Sequence, residues 1–253
     1  MTSVEWNPHI NRTVAVMSGK GGVGKSGVSA LLAVELARRG LRMEIMDADI
    51  TGPSIPTMLG IVDIRPEVTD RGIHPVSSRK YGIQVISINL LLDKPEQPVI
   101  WRGPLLSKAI LEFWNEVLWS GLDILIVDMP PGTGDVPLTV LQSIPLEGVV
   151  MVSSPQDLAF LIVQKAVHMV QQLQRPILGL VENLSTVFCP KCGEVIHPFG
   201  QPRGQKISTQ LQIPFLGEIP IDPILSEYCD SGRIEDYESV AVKNIVDKLI
   251  TAL

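Results

Sequence analysis

The stretch TVAVMSGKGGVGKSGVSALLAVELARRG, residues 13–40, decides the fold. Its first six residues are almost continuously apolar and rich in valine, the pattern of a strand buried on both faces. Residues 27–40 are rich in alanine and leucine and stop at Gly40, as a helix would. Between them GKGGVGKS, residues 19–26, fits the phosphate-binding loop pattern, running from Gly19 to Gly24-Lys25-Ser26. Glycines let the backbone turn so that its N–H groups face phosphate oxygens, and the start of the helix adds a favourable dipole. Gly19, Gly21, Gly22, Val23, Gly24 and Gly27 are therefore candidate nucleotide contacts. Lys25 is placed to reach the β- and γ-phosphates, and the Ser26 hydroxyl to ligate Mg²⁺. Lys20 lies where an ordinary loop of this kind needs no charge; by itself it reads as a solvated lysine.

Further valine- and isoleucine-rich runs follow at 42–49, 83–88, 122–130, 148–154, 176–184 and 214–220, with helical patterns at 106–119 and 158–174. Alternation of this kind indicates a doubly wound α/β fold, a mostly parallel sheet flanked by helices. Without an internal repeat or low-complexity linker, residues 1–253 read as one domain. Residues 51–82, rich in proline and glycine, read as carrying mobile functional loops, with inert loops as the alternative. Hydrophobic residues are 45% of the chain and charged residues 19%, which suits a substantial core. The net charge of −6, with no dense basic patch, argues against a broad grip on nucleic acid. No apolar run is long enough to span a bilayer, the N-terminus lacks a signal-peptide pattern, and three cysteines do not form a disulfide framework. The expectation is a soluble cytoplasmic protein without stable membrane association.

LDILIVDMPPGTGD, residues 122–135, is an apolar strand ending in Asp128, whose carboxylate can hold Mg²⁺ or its water. MDADITGPS, residues 46–54, sets Asp47 and Asp49 at the end of the second strand, beside the phosphate site. Asp135 reads either as a switch residue or as a helix N-cap. FCPKCG, residues 188–193, offers Cys189 and Cys192 at metal-ligand spacing. A redox pair, half of an intrachain zinc knuckle and a plain turn are its rivals; Pro190 and the GEVIHP continuation favour a metal knuckle. His197 reads either as a further ligand or as a structural or surface residue, and Cys229 as a small buried apolar group.

KGGVGKS resembles the deviant phosphate loop of the MinD/ParA/Mrp ATPases. That resemblance implies that Lys20 crosses a dimer interface to the partner's nucleotide. It also implies that Asp49 positions or deprotonates the attacking water, that Asp47 supports Mg²⁺, and that Asn183 reads the adenine edge. Pro220 and Asp222 are weaker candidates for the wall of the base pocket. GKGGVGKS, DADITGPSIPTMLG, WRGP, DMPPGTGD, SSPQDLA and ENLSTVFCPKCG occur in one order. Together they look like the Mrp/ApbC-type iron–sulfur carrier ATPases over nearly the whole chain. The resemblance implies slow, dimer-dependent ATP hydrolysis, a homodimer or paralogue heterodimer, and transfer of a cluster to apo iron–sulfur clients. The N-terminal modules of some relatives are not expected here, since the loop begins at residue 19. Gly27 departs from relatives that carry a hydroxyl residue there. Two chains would then supply four thiolates at their symmetry axis, enough for one [4Fe–4S] cluster, or for Zn²⁺ in protein purified in air. The rival readings are a MinD/ParA-like spatial regulator and a zinc-stabilised dimeric ATPase. The tail, residues 240–253, has an apolar helical stripe but few basic residues opposite it, so packing on the core is expected over membrane binding.

Overall fold

The computed structural model describes residues 7, 9–50, 52–92, 101, 103–156 and 159–253. Parts of three sequence motifs, at residues 51, 102 and 157–158, lie outside them. The apolar runs form β1 (Ile10–Ser18), β2 (Met43–Asp47), β3 (Val76–Ser77), β4 (Gln84–Ser87), β5 (Leu122–Asp128), β6 (Gly148–Ser153), β7 (Ile177–Asn183) and β8 (Phe215–Ile219). They build one sheet in the order β8-β7-β6-β1-β5-β2-β4-β3. Neighbours are parallel except β3, which runs antiparallel to β4 at the edge.

Consecutive residues of these strands point to opposite faces, and both faces are covered. Val14 and Val16 pack on one side, against helix α1 (Lys25–Arg38). Ala15 and Met17 pack on the other, with α2 (Gly103–Glu116), α3 (Asp135–Ser143), α4 (Ala159–Gln172) and α5 (Gly204–Leu211). α6 (Pro223–Asp230) and α7 (Val240–Ala252) lie on the α1 side. α1 is buried almost all round, which explains its lack of a polar face. It ends where Gly40 takes φ +88°; there the N–H groups of Gly40 and Leu41 donate to Ala37 O and Leu36 O.

The apolar stripe of α7 is used internally: Val242, Ile245, Val246 and Leu249 are all buried. No helix among the described residues is long and apolar enough to cross a membrane. Two expectations need correction. Residues 51–82 are not only loops; they contain a short helix (Ile55–Met58), a hairpin (Glu67–Thr69 with Gly72–His74) and the edge strand β3. Strands of two or three residues are too short to show a periodicity. The helix expected at 106–119 runs from Gly103 to Glu116 instead. Trp119 lies beyond its end, folded back so that its indole N–H donates to Trp114 O (2.9 Å).

Register brings the chemistry to one edge. Asp47 of β2 lies opposite Asp128 of β5, Val16 of β1 pairs with Asp128, and Ser153 of β6 pairs with Glu182 of β7. The carboxyl ends of the strands thus line up beside the loop that follows β1, where open parallel sheets bind ligands.

Candidate functional site

Residues Lys20 to Gly27 line a cleft of about 240 Å³ together with Ser18, Asp49, Ser54, Met58 and Pro131. Gly24 is the N-cap of α1, at φ +76°. A Cβ there would lie 2.3 Å from Asn183 Nδ2, so both its backbone angle and its surroundings demand glycine. A Cβ on Gly19 would lie 2.6 Å from Ile162 Cγ2, which shows how closely α4 approaches the start of the loop.

At the floor of the cleft the Lys25 ammonium, only 5% exposed, lies 2.7 Å from Asp128 Oδ1. Ser26 donates to Asp128 Oδ2 and Ser29 to Asp128 Oδ1, both at 2.6 Å. Asp47 is wholly buried beside this group. Burial first, and then the neighbouring Asp128 carboxylate, push its pKa well up, while Lys25 opposes the shift. Ser87 donates to Asp47 Oδ2 and the Asp49 N–H to Asp47 Oδ1, each at 3.2 Å. Two buried carboxylates around a single ammonium, with the Ser26 hydroxyl alongside, form an oxygen-rich donor set short of positive charge. Such a set suits a hard cation like Mg²⁺.

Lys20 donates to the Gln156 side chain, in the loop after β6. Asn183, at the end of β7, donates through Nδ2 to Val23 O (2.9 Å) and so braces the phosphate loop. Asp222 and Pro220 lie outside the cleft. Asp222 caps α6, accepting from Ile224 N–H, and its other oxygen accepts from the Tyr237 hydroxyl, both at 2.9 Å. Burial and this bond push the Tyr237 phenol up to about 12. Asp135 is not an N-cap: Gly134 holds that position, and Asp135 is the first residue of α3. Its carboxylate presses on Gly103, where a Cβ would lie 1.9 Å from Asp135 Oδ2.

The cysteines sit on a separate two-stranded hairpin, Val187–Phe188 paired with Val195–Ile196. At its tip Cys189 N–H donates to Glu194 O (2.9 Å), Gly193 N–H donates to Cys189 O (2.8 Å), and Gly193 takes φ +74°. The turn aims the N–H groups of Lys191 and Cys192 at the Cys189 sulfur. They, with the Cys192 thiol, hold its pKa below the usual thiol value. Cys192 is exposed, and so are Phe188, Val195, Ile196 and Phe199 around the pair. Among the described residues no three His, Cys, Asp or Glu side chains converge to hold a metal, so His197 does not complete a site with the two cysteines. Cys229 is half-buried on α6, where burial raises its thiol pKa.

Three residues escaped the sequence reading. Ser29 follows Lys25 by one helical turn, a spacing that could have flagged it. Gln156 joins the site, and Glu182, outside it, accepts from the Arg203 N–H, through tertiary contacts that leave no local signal.

A family model described as NUBPL iron-transfer P-loop NTPase, of the ParA group, matches residues 9–253. The chain is 42% identical over 250 residues to the iron-sulfur cluster carrier protein of Methanocaldococcus jannaschii, covering 95% of this chain and 86% of that protein. It is 41% identical over 249 residues to the protein of the same name from Saccharolobus solfataricus, covering 96% and 84%. Among solved structures it is similar to a nucleotide-binding protein in complex with ADP from Archaeoglobus fulgidus. The TM-score is 0.82 and the identity 44%, with 91% of this chain and 90% of that one covered. The cell division ATPase MinD of Pyrococcus furiosus shares the fold at 21% identity, with a TM-score of 0.68 over 95% of this chain and 99% of that one.

Proposed function

Because this chain belongs to the NUBPL iron-transfer P-loop NTPases, we propose that it binds and hydrolyses ATP as a two-fold dimer and carries an iron–sulfur cluster to apo-proteins. The cluster is cargo, held by Cys189 and Cys192 of each copy. The observation that carries this reading is the cysteine turn. It presents two thiols, one with a lowered pKa, and no third ligand from the same chain among the described residues. A cluster that needs four thiolates is then completed by a second copy. The exposed apolar side chains around the pair favour burial against that copy. In this reading residues 1–253 form one ATPase domain with the cysteine hairpin on its dimer face.

In hydrolysis, Lys25 leaves Asp128 for the β- and γ-phosphates, and Lys20 leaves Gln156 to meet the partner's nucleotide. Asp49 orients the attacking water. Gly19 to Gly27 supply backbone contacts, with Asn183, Pro220 and Asp222 on the base side. Ser26 and Asp128, supported by Asp47, would hold Mg²⁺, which neutralises charge on the phosphate oxygens. The fit of that ion rests on the excess of buried carboxylate over ammonium around Lys25, whose side chain lines the cleft. Lys20 acts there as an arginine finger does, adding positive charge where the transition state spreads its negative charge.

Anaerobic reconstitution with iron and sulfide tests the cargo. The expected result is about one [4Fe–4S] cluster per dimer, and none in Cys189→Ala. Equal iron uptake and equal visible absorption in that variant would refute the site.

A further inference from the structure

Residues 184–203 leave the sheet at the end of β7, carry the cysteine hairpin and return to α5. Both roots of this excursion are fastened at one place. The outgoing root turns at Leu184, which takes φ +58°, a left-handed conformation that costs a leucine energy and must be held by its surroundings. The Ser185 N–H fixes the turn by donating to Ile219 O (3.1 Å). The returning root is held by Glu182: Arg203 N–H donates to both of its carboxylate oxygens, at 3.0 and 3.1 Å. Glu182 is wholly buried, in a strand whose other side chains are apolar apart from Asn183. Burial raises its pKa, and the N–H groups of Arg203 and Gly204 oppose the shift. Gly204 packs so tightly that a Cβ would lie 2.9 Å from Glu182 Cβ and 2.5 Å from Phe215 Cε2. That root has no slack.

The next residue along β7 is Asn183, whose amide holds Val23 O of the phosphate loop. Successive strand residues point to opposite faces, so Asn183 faces the loop while Glu182 faces α5. One peptide unit therefore connects the loop to the root of the cysteine hairpin. We propose that Glu182 is a positioning residue that, with Asn183, transmits the state of the nucleotide site to the cysteine hairpin. The proposal rests on the cluster-carrier reading and adds the route by which nucleotide and cluster influence one another. Linkage makes the influence reciprocal: if nucleotide changes the grip on the cluster, the cluster changes nucleotide affinity by the same factor.

The test measures the Kd of a non-hydrolysable ATP analogue on the full chain, with and without the reconstituted cluster. Wild type is expected to show a ratio of roughly 5-fold or more. Glu182→Gln, which keeps one acceptor oxygen, should bind cluster and nucleotide in the same stoichiometry with a smaller ratio, and Glu182→Ala should bring the ratio close to one. Leu184→Gly removes no side-chain hydrogen bond but frees the outgoing root, and should also lower the ratio. A wild-type ratio of one, or an unchanged ratio in Glu182→Ala, overturns the route while leaving cluster carriage intact. Loss of nucleotide binding in Glu182→Gln overturns it too, by making Glu182 a general support of the fold. Wild-type chain that takes no iron at its cysteines overturns the carrier reading itself.

Discussion

Glu44 lies between Met43 and Ile45 on β2, wholly buried, with neither carboxylate oxygen hydrogen-bonded among the described residues. Burial alone pushes its pKa well above the usual 4.5. The folded chain keeps a proton there that the unfolded chain has already released, so stability falls as pH rises above that value. Glu44→Met should remove this slope and raise stability near neutral pH by roughly 1–3 kcal/mol, the cost of an unsatisfied buried polar group. Urea midpoints at pH 5 and pH 8 check it; equal pH slopes in the two proteins would mean that Glu44 has a partner. The two lysines of the phosphate loop separate in the same way. Both Lys20→Ala and Lys25→Ala should suppress hydrolysis. Lys25→Ala also strands the buried Asp128 carboxylate and should lose roughly 3–5 kcal/mol of stability, whereas Lys20, bonded to the exposed Gln156, should cost little. Thermal melts of the two variants compare these costs; equal melting points would contradict the difference.

At the scale of elements, α6 depends on its cap. Asp222→Ala removes the bond from Ile224 N–H and the bond from the Tyr237 hydroxyl, and should cost roughly 1–2 kcal/mol. With Asp222 on the base side, ATP affinity should fall as well; an affinity unchanged from wild type would confine the carboxylate to the fold. The central strands were legible in the sequence because β1, β5 and β6 are buried on both faces over most of their length and so read as largely apolar runs. The phosphate loop was legible because its chemistry fixes glycine, lysine and serine at set intervals. The hairpin that presents Cys189 was not, since its strands are two residues long and largely exposed. Nor was the bond from Asn183 to Val23 O, which joins residues 160 positions apart. Such contacts come from tertiary packing, and single-sequence patterns carry no trace of them.

At the scale of the whole molecule, incompleteness is the common theme. The phosphate cleft holds Lys20 bonded to Gln156, and the cysteine turn offers two thiols where the proposed cluster takes four. Each half-site gains its missing members if two copies meet face to face, and the sheet places both half-sites around one strand end, that of β7. The measurement that tests this most directly is native mass spectrometry of anaerobically reconstituted protein, with iron counted in each species. Iron and sulfide should travel with the dimer, while monomer from the same sample carries none and does not hydrolyse ATP. A monomer that holds a whole cluster and turns over ATP at the dimer's rate would contradict it.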